Sequence, residues 1–177
     1  RRQRQMCIRD RDYTRRDAFS DKILQNPMIR DIAYGDGWLV NTGRMSWGRE
    51  LDDKQIYIPV YPVSWNFLQM MGINIVEGRD FMPSDEESDY GVLIFNQTAQ
   101  KQYEITLESK MMAHVGGSNA TIAGFCEDFN FKPAHYGIDP FAFIVYGRWG
   151  WGLPTHAYIR IAAGADIDEV KQYIAQT

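Results

Sequence analysis

The chain has 177 residues, 45% of them hydrophobic and 24% charged, and a formal net charge of −4. Residues 1–16 hold seven arginines against two aspartates, a net charge of +5, so the rest of the chain carries −9. A basic head on an acidic body argues against a general nucleic-acid binder, which presents a wider basic face. No apolar stretch approaches the ~20 residues of a membrane span. The arginines either face solvent at a helix start or contact phosphate groups.

The first third of the chain alternates helical and extended patterns. Residues 16–25 have apolar side chains at helical spacing, and Asn26–Pro27 ends this predicted helix because the residue before proline avoids helical dihedrals. Residues 28–35 then predict a strand. Residues 35–54 are rich in glycine and polar groups, which indicates a loop or an irregular hairpin.

A proline-containing strand and a short helix follow. Residues 55–63, "QIYIPVYPV", alternate as a strand, and Pro59 inside it favours a sheet edge or a bulge. Residues 64–72 predict a short helix with Ser64 as N-cap and Gly72 as C-cap. The next predicted elements are a strand (73–81), an acidic loop (82–89), a strand (90–96) and a helix (97–105).

The last third predicts three more strands and a closing helix. The strand at 120–129 places Ile122, Gly124 and Cys126 on one side, by simple alternation. Further strands are predicted at 140–147 and 155–162, and a helix at 166–177, with Asp166 as N-cap and Glu169 completing a capping box. About six strands and four helices in mixed order predict an α+β fold, with a mixed, mostly antiparallel sheet or sheets and packed helices.

The stretch Gly124–Pro140, "GFCEDFNFKPAHYGIDP", concentrates the residues that could support catalysis. Glu127 and Asp128 are a candidate acid–base pair, but neighbours on a strand point to opposite faces. Asp128 is better explained as an acceptor of backbone N–H groups in the following turn, and His135 as a turn or interface residue. The sequence contains no metal-binding, phosphate-loop or nucleophile motif, so we expect the chain to bind no metal and no cofactor and to have no enzymatic activity.

Two other segments stand out. In "EGRDF" (77–81) we expect Gly78 to supply a positive φ, Arg79 a charge-assisted hydrogen bond and Phe81 an apolar plug. The loop "YGRWGWGLP" (146–154) alternates aromatic residues with glycines. Its aromatic residues either fold back on the core or form an exposed tip that contacts a partner protein or a membrane surface. These candidate contact residues are Tyr146, Trp149 and Trp151.

Five stretches, in order, resemble the MacB-like periplasmic core domain of FtsX-type ABC transporter permeases, over about residues 16–175. They are "NPMIRDIAYG", "VSWNFLQMMGINIVEGRDF", "GVLIFNQTAQKQY", "TIAGFCEDFNFKPAHYGIDPFAF" and "HAYIRIAAGADIDEVKQYI". The resemblance implies a core domain over 16–177, preceded by a basic juxtamembrane-like segment at 1–15. It also implies two small lobes, one porter-like and one a second subdomain.

The resemblance assigns structural roles to single residues. Asn96 stands in the family's strand-to-helix passage. Phe129 and Phe131 would alternate into the core, Asp128 would tie the turn, and His135 and Pro140 would fix the path into the next strand.

The function implied is a non-catalytic domain on the extracytoplasmic side of the cell membrane. It would relay ATP-driven motion from a cognate ATPase, through the full-length permease, to a substrate or partner. A second permease copy and a periplasmic protein are further candidate partners. Two alternatives stay open: a stand-alone ligand-binding module with an aromatic cleft between its lobes, and a hydrolase or transferase that uses Glu127, Asp128 and His135.

Overall fold

A computed structural model describes residues 5–9, 16–35, 47–112, 119–129, 137–146 and 156–177. The α-helices described are α1 (Arg16–Ile23), α2 (Phe67–Met71), α3 (Gln97–Tyr103) and α4 (Ile167–Ala175), and Pro83–Glu87 form a 3-10 helix. The first six strands are β1 (Gln5–Arg9), β2 (Ile29–Gly35), β3 (Trp47–Leu51), β4 (Lys54–Ile58), β5 (Val60–Pro62) and β6 (Ile75–Gly78). The remaining strands are β7 (Val92–Asn96), β8 (Met111–Met112), β9 (Asn119–Cys126), β10 (Ala142–Val145) and β11 (His156–Ile161).

The smaller of two sheets, called here the small sheet, has the strand order β1-β11-β2 and is antiparallel throughout. One of its faces is covered by α1 and α4. The buried residues of this cluster include Ile23 of α1, Ile32 of β2, Ile159 of β11 and Val170 of α4. Apolar side chains at alternate strand positions therefore bury one face of the sheet against two amphipathic helices.

The large sheet has eight strands in the order β4-β3-β8-β9-β7-β10-β5, with β6 paired to β9 off this path. Among the strand pairs described, β7–β9 and β10–β5 are parallel and the others are antiparallel. The predicted α+β class with mixed, mostly antiparallel sheets is therefore confirmed.

Strands β7 and β10 of the large sheet are buried at every position, so both faces of the sheet are covered along them. In β10, Phe143 and Val145 face a cluster that contains α2, while Ala142 and Ile144 face a cluster that contains Ala99 of α3. We call these the α2-side and α3-side clusters. The α2-side cluster also includes Ala33 of β2 and Tyr158 of β11, so the two sheets share part of one core.

Three strands were not predicted as such, and one of them lies in the basic head. Gln5–Arg9 pair with β11 along their whole length, so this part of the segment expected to precede the domain belongs to its sheet. Trp47–Leu51 and the two-residue strand Met111–Met112 are the others. β3 and β4 form a hairpin whose turn residues Asp52 and Asp53 have φ of 47° and 64°, the positive values that a two-residue hairpin turn requires.

Local predictions around α2 and the acidic segment need correction. The helix begins at Phe67 and not directly after Ser64, and Asn66 occupies the N-cap position without a side-chain cap bond. Gly72 ends the helix with φ 73°, as predicted. The predicted acidic loop contains the 3-10 helix, which Pro83 starts. The predicted strand at 55–63 is interrupted at Pro59, and its second part, β5, lies at an edge of the large sheet.

The prediction that Ile122, Gly124 and Cys126 share one side of β9 is wrong. Leu93 of β7 pairs with Ile122, but the next residue, Ile94, pairs with Gly124, so β9 has an extra residue at this point. Such a bulge reverses the alternation beyond it. Ile122 consequently lies in the α3-side cluster and Cys126 in the α2-side cluster.

Candidate functional site

Asn96 is the most highly connected polar side chain of the predicted set. It is fully buried at the end of β7, where its Oδ1 accepts hydrogen bonds from the backbone N–H of Ala99 (3.0 Å) and of Phe141 (3.0 Å). Its Nδ2 donates to Asp128 Oδ1 and to the Asp139 carbonyl, both at 3.0 Å. An amide has two donors and one acceptor oxygen, so Asn96 uses its full capacity. It caps α3 and ties this helix to the segment that enters β10.

Asp128 completes the same network from the end of β9. Its Oδ1 also accepts from the backbone N–H of Thr98 (2.9 Å), and its Oδ2 accepts from Thr98 Oγ1 (3.0 Å). The carboxylate therefore lies at the start of α3, 30 residues away in sequence, where backbone N–H groups lack helical partners. The bonds predicted between Asp128 and the turn that follows it concern residues 130–136, which lie outside the described residues.

Glu127 bonds to a different segment, the residues between α2 and β6. Its backbone N–H donates to the Asn74 carbonyl (2.9 Å), and its carboxylate accepts from Asn74 N–H and Nδ2, each at 3.1 Å. The hydrogen bond from the Asn74 backbone holds the pKa of Glu127 below its usual value, so this carboxylate stays ionised at neutral pH. Glu127 and Asp128 thus bind different elements and do not converge on a common point.

Arg79 forms the charge-assisted contact of the "EGRDF" segment. Its Nη1 and Nη2 donate to the two oxygens of buried Asp85 at 2.8 and 2.9 Å, a bidentate geometry. This bonding raises the pKa of Arg79. Asp85 also accepts from the Met82 N–H, so the pair fixes the turn that leads into the 3-10 helix. Burial raises the pKa of neighbouring Asp80, whose Oδ1 accepts from the Phe81 N–H.

The other residues singled out in the sequence also lie in structural positions. Gly78 has φ 77°, and Phe81 is buried in the α2-side cluster, against which Phe129 packs half-buried. Pro140 lies between Asp139 and Phe141, both of which bond to Asn96. Tyr146 is half-buried and packs against the α3-side cluster. Phe131, His135, Trp149 and Trp151 lie outside the described residues.

Cys126 is a fully buried free thiol, and burial raises its pKa to about 12. At pH 8 only about one thiol in ten thousand is then ionised, and the thiolate is the reactive form. We expect a thiol reagent to leave Cys126 of a Cys7→Ser variant unmodified in the folded chain and to modify it fully in denaturant. Mass spectrometry with and without urea checks this. Modification of the folded chain at the rate of a free thiol would contradict the burial.

Within the described ranges, no group of His, Cys, Asp and Glu side chains is placed to hold a metal ion. One cavity, of about 230 Å³, lies between the β3–β4 hairpin and the end of α3. It is smaller than the ~300–1,000 Å³ typical of small-molecule sites and lies away from the junction of the two sheets. It is lined by Leu51, Asp52, Lys54, Ile56, Gln102, Tyr103 and Glu104.

Sequence reasoning missed three polar residues that organise the structure, Asn66, Asp85 and Thr98. It singled out Ser64 as a helix N-cap, whereas the Ser64 hydroxyl bonds to Tyr34 N–H and Asn66. The only local signal was composition, because Ser, Asn and Asp favour turns and helix starts. The identity of their partners depends on the sheet order.

No helix in the described part of the chain has the length and apolar character needed to cross a membrane. Among proteins with curated functions, none matches this chain in sequence.

The solved structures similar to the chain include the following three. The periplasmic region of MacB from Actinobacillus actinomycetemcomitans has a TM-score of 0.65 at 10% identity, covering 97% of this chain and 80% of its own. A domain of a permease protein from Porphyromonas gingivalis has a TM-score of 0.59 at 14% identity, and the match covers 89% of this chain and 73% of that domain's chain. The extracellular domain of the ABC-type transporter YknZ from Gram-positive bacteria has a TM-score of 0.58 at 10% identity. The match covers 96% of this chain and 88% of that domain's chain.

At these identities the three structures establish a common fold. The sequence profile of the MacB-like periplasmic core domain extends over residues 4–177 and includes β1. With nearly the whole length matched, the chain belongs to the MacB-like periplasmic core domain family.

Proposed function

We propose that this chain is the periplasmic domain of an ABC transporter permease, non-catalytic by itself, that relays ATP-driven motion to a substrate or partner outside the membrane. The observation that carries the proposal is the family match over residues 4–177. The similar folds of a periplasmic region, an extracellular transporter domain and a permease domain agree with it.

The chemistry of the described polar residues supports a mechanical role. The carboxylates of Asp128, Glu127 and Asp85 accept hydrogen bonds from neighbouring elements. To act together as an acid–base pair, Glu127 and Asp128 would have to reach one substrate, but Glu127 bonds to Asn74, before β6, and Asp128 bonds to Thr98 of α3. Bonds of this kind hold loops in place, which suits a domain that transmits displacement.

The proposed partners follow from this role. A cognate ATPase subunit or domain would act through the membrane helices of the full-length permease, which anchors the domain to the cell membrane. A second permease copy and a periplasmic protein are the partners proposed outside the membrane. The aromatic residues of the 146–154 segment (Tyr146, Trp149 and Trp151), called here the aromatic tip, are the proposed contact, because aromatic side chains commonly dominate the binding energy of protein interfaces.

Substitutions in the aromatic tip test the partner contact. In the full permease, Trp149→Ala with Trp151→Ala is expected to weaken partner binding by roughly 30-fold or more and to reduce export, since a single aromatic anchor contributes about 2 kcal/mol or more. Pull-down affinity and export are the measurements. The control is Tyr57→Ala, which removes an aromatic side chain that is 68% exposed on β4. Unchanged binding and export in the tip variant would refute the contact.

Reading the gene on both sides of these residues tests the permease assignment separately. We expect apolar spans of ~20 residues before Arg1 and after Thr177. A cleavable signal peptide with no such spans would instead favour a secreted binding module.

A further inference from the structure

No strand in the described part of the chain pairs along the outer edge of β2, yet backbone groups of Ile32 and Tyr34 on this edge are hydrogen-bonded. Tyr34 N–H donates to Ser64 Oγ (2.8 Å), and the Tyr34 carbonyl accepts from Ser64 N–H (2.9 Å). Two residues earlier on the same edge, the Ile32 carbonyl accepts from Asn66 Nδ2 (2.8 Å). Alternate residues of a strand present backbone groups to the same edge, so Ser64 and Asn66 replace a neighbouring strand.

Ser64 and Asn66 are also bonded to each other. Ser64 Oγ donates to Asn66 Oδ1 at 2.8 Å, and Ser64 is only 4% exposed. The residue before Ser64 adds a bridge between Val63 and Gly35 at the end of β2. Ser64 and Asn66 follow β5 of the large sheet, whereas Ile32 and Tyr34 belong to the small sheet. We call the set Ile32, Tyr34, Ser64 and Asn66 the β2 junction.

A second contact joins the two sheets through α1. Arg16, at the start of α1, lies over the Tyr34 ring at 5.1 Å and pairs with Glu86 at 3.2 Å. Glu86 belongs to the 3-10 helix on the side of the large sheet. The Tyr34 hydroxyl in turn bonds to Ser20 Oγ (2.7 Å) and to the Arg16 carbonyl (3.1 Å). Tyr34 thus connects the β2 junction to the ion pair.

Apolar packing closes the same boundary. Phe67 of α2 meets Tyr158 of the small sheet edge to face, with ring centroids 5.3 Å apart, and both rings are buried. A buried donor or acceptor that loses its hydrogen-bond partner costs about 1–3 kcal/mol, and separating the sheets would break several such bonds together. A freely turning hinge between two lobes instead has few buried contacts and exposed backbone bonds.

We propose that the β2 junction and the Arg16–Glu86 pair hold the small and large sheets as one rigid body, so that the domain transmits motion by moving as a unit and not by closure of one lobe on the other. The part about transmission rests on the function proposed above. The rigid union itself is a property of this chain and is tested without the transporter.

Distance measurements between spin labels test the union directly. Labels at Lys101→Cys on α3 and Gln172→Cys on α4 report the separation of the two sheets, in a Cys7→Ser background that retains buried Cys126. We expect a single narrow distance distribution in the otherwise unchanged chain. Ser64→Ala with Asn66→Ala should replace it with a broad one, and Glu86→Gln should broaden it less because it removes only the ion pair.

Amide exchange provides the matched local readout. Ser64→Ala removes the acceptor of Tyr34 N–H, which should exchange about tenfold faster. The amide of Ala33 points to the other edge, toward β11, and should keep its rate.

A broad or two-peaked distribution in the chain without the junction substitutions would overturn the rigid union, and this measurement requires no junction variant to fold. A folded double variant with an unchanged narrow distribution and an unchanged Tyr34 exchange rate would show that other contacts hold the sheets. Neither result would alter the assignment of the chain to a permease. A failed export test of the aromatic tip would, in turn, leave the rigid union intact.

Discussion

Asn96→Ala is expected to lower the free energy of unfolding by about 3–5 kcal/mol. The substitution leaves the buried N–H groups of Ala99 and Phe141 without an acceptor. It also removes the Nδ2 group that donates to Asp128 Oδ1 and to the Asp139 carbonyl. Each unpaired buried group costs about 1–3 kcal/mol, and the removed side chain leaves a cavity besides. Urea unfolding followed by circular dichroism measures the loss.

Two matched variants separate the network from general effects. Thr98→Val removes one of the bonds to Asp128 and keeps side-chain volume, so we expect a loss of about 1 kcal/mol. Asn119→Ala, at an exposed position on β9, should change stability by less than about 0.5 kcal/mol. A loss of under about 1 kcal/mol for Asn96→Ala would show that the network contributes little.

Gly78→Ala is the second substitution for which we expect a large effect, about 3 kcal/mol or more. Gly78 has φ 77°, and a Cβ there would lie 2.3 Å from the Ala123 carbonyl oxygen and 2.7 Å from Gly124 Cα. Both contacts are with backbone, so relief requires β6 to move away from β9. Gly124→Ala should act in the same way, since its Cβ would lie 2.6 Å from the Glu77 carbonyl oxygen.

The chain contains a control for the dihedral strain alone. Gly72 has nearly the same φ, 73°, but a Cβ there has no atom within 4 Å. Gly72→Ala should therefore cost only about 1–2 kcal/mol, the usual penalty of a left-handed backbone for a residue with a side chain. The difference between the Gly78 and Gly72 variants, from urea unfolding curves, isolates the close approach of β6 and β9. Equal losses in the two variants would mean that this approach relaxes easily.

Both large effects concern strand β9. Its end is fixed by Asp128 to the start of α3 and by Glu127 to Asn74, while Gly78 and Gly124 allow β6 to lie against it. Because β9 is fixed to α3, to Asn74 and to β6 at once, a displacement of one of these elements must move the others. A domain that relays motion needs this property. The β2 junction extends the same argument to the small sheet.

The sequence alone determined the features that arise from residues near each other in the chain. The helix end near Asn26–Pro27, the left-handed Gly72 and the N-cap Asp166 all follow from the dihedral and hydrogen-bonding preferences of single residues. The apolar runs in β7 and β10 indicated buried strands because apolar side chains favour removal from water. Five ordered stretches were enough to indicate the family, which the profile over residues 4–177 confirms.

Only the tertiary structure decided which distant groups meet. Asp128 bonds to Thr98, 30 residues away, and Ser64 to Tyr34 at the same separation, because the sheet order brings these positions together. The bulge in β9 could not be read from alternation, since it depends on how β7 pairs with it. β1 lies in the arginine-rich first part of the chain, and it is a strand because it pairs with the edge of β11 that β2 leaves open. Local preference sets which conformations a segment favours, whereas pairing across the chain selects among them.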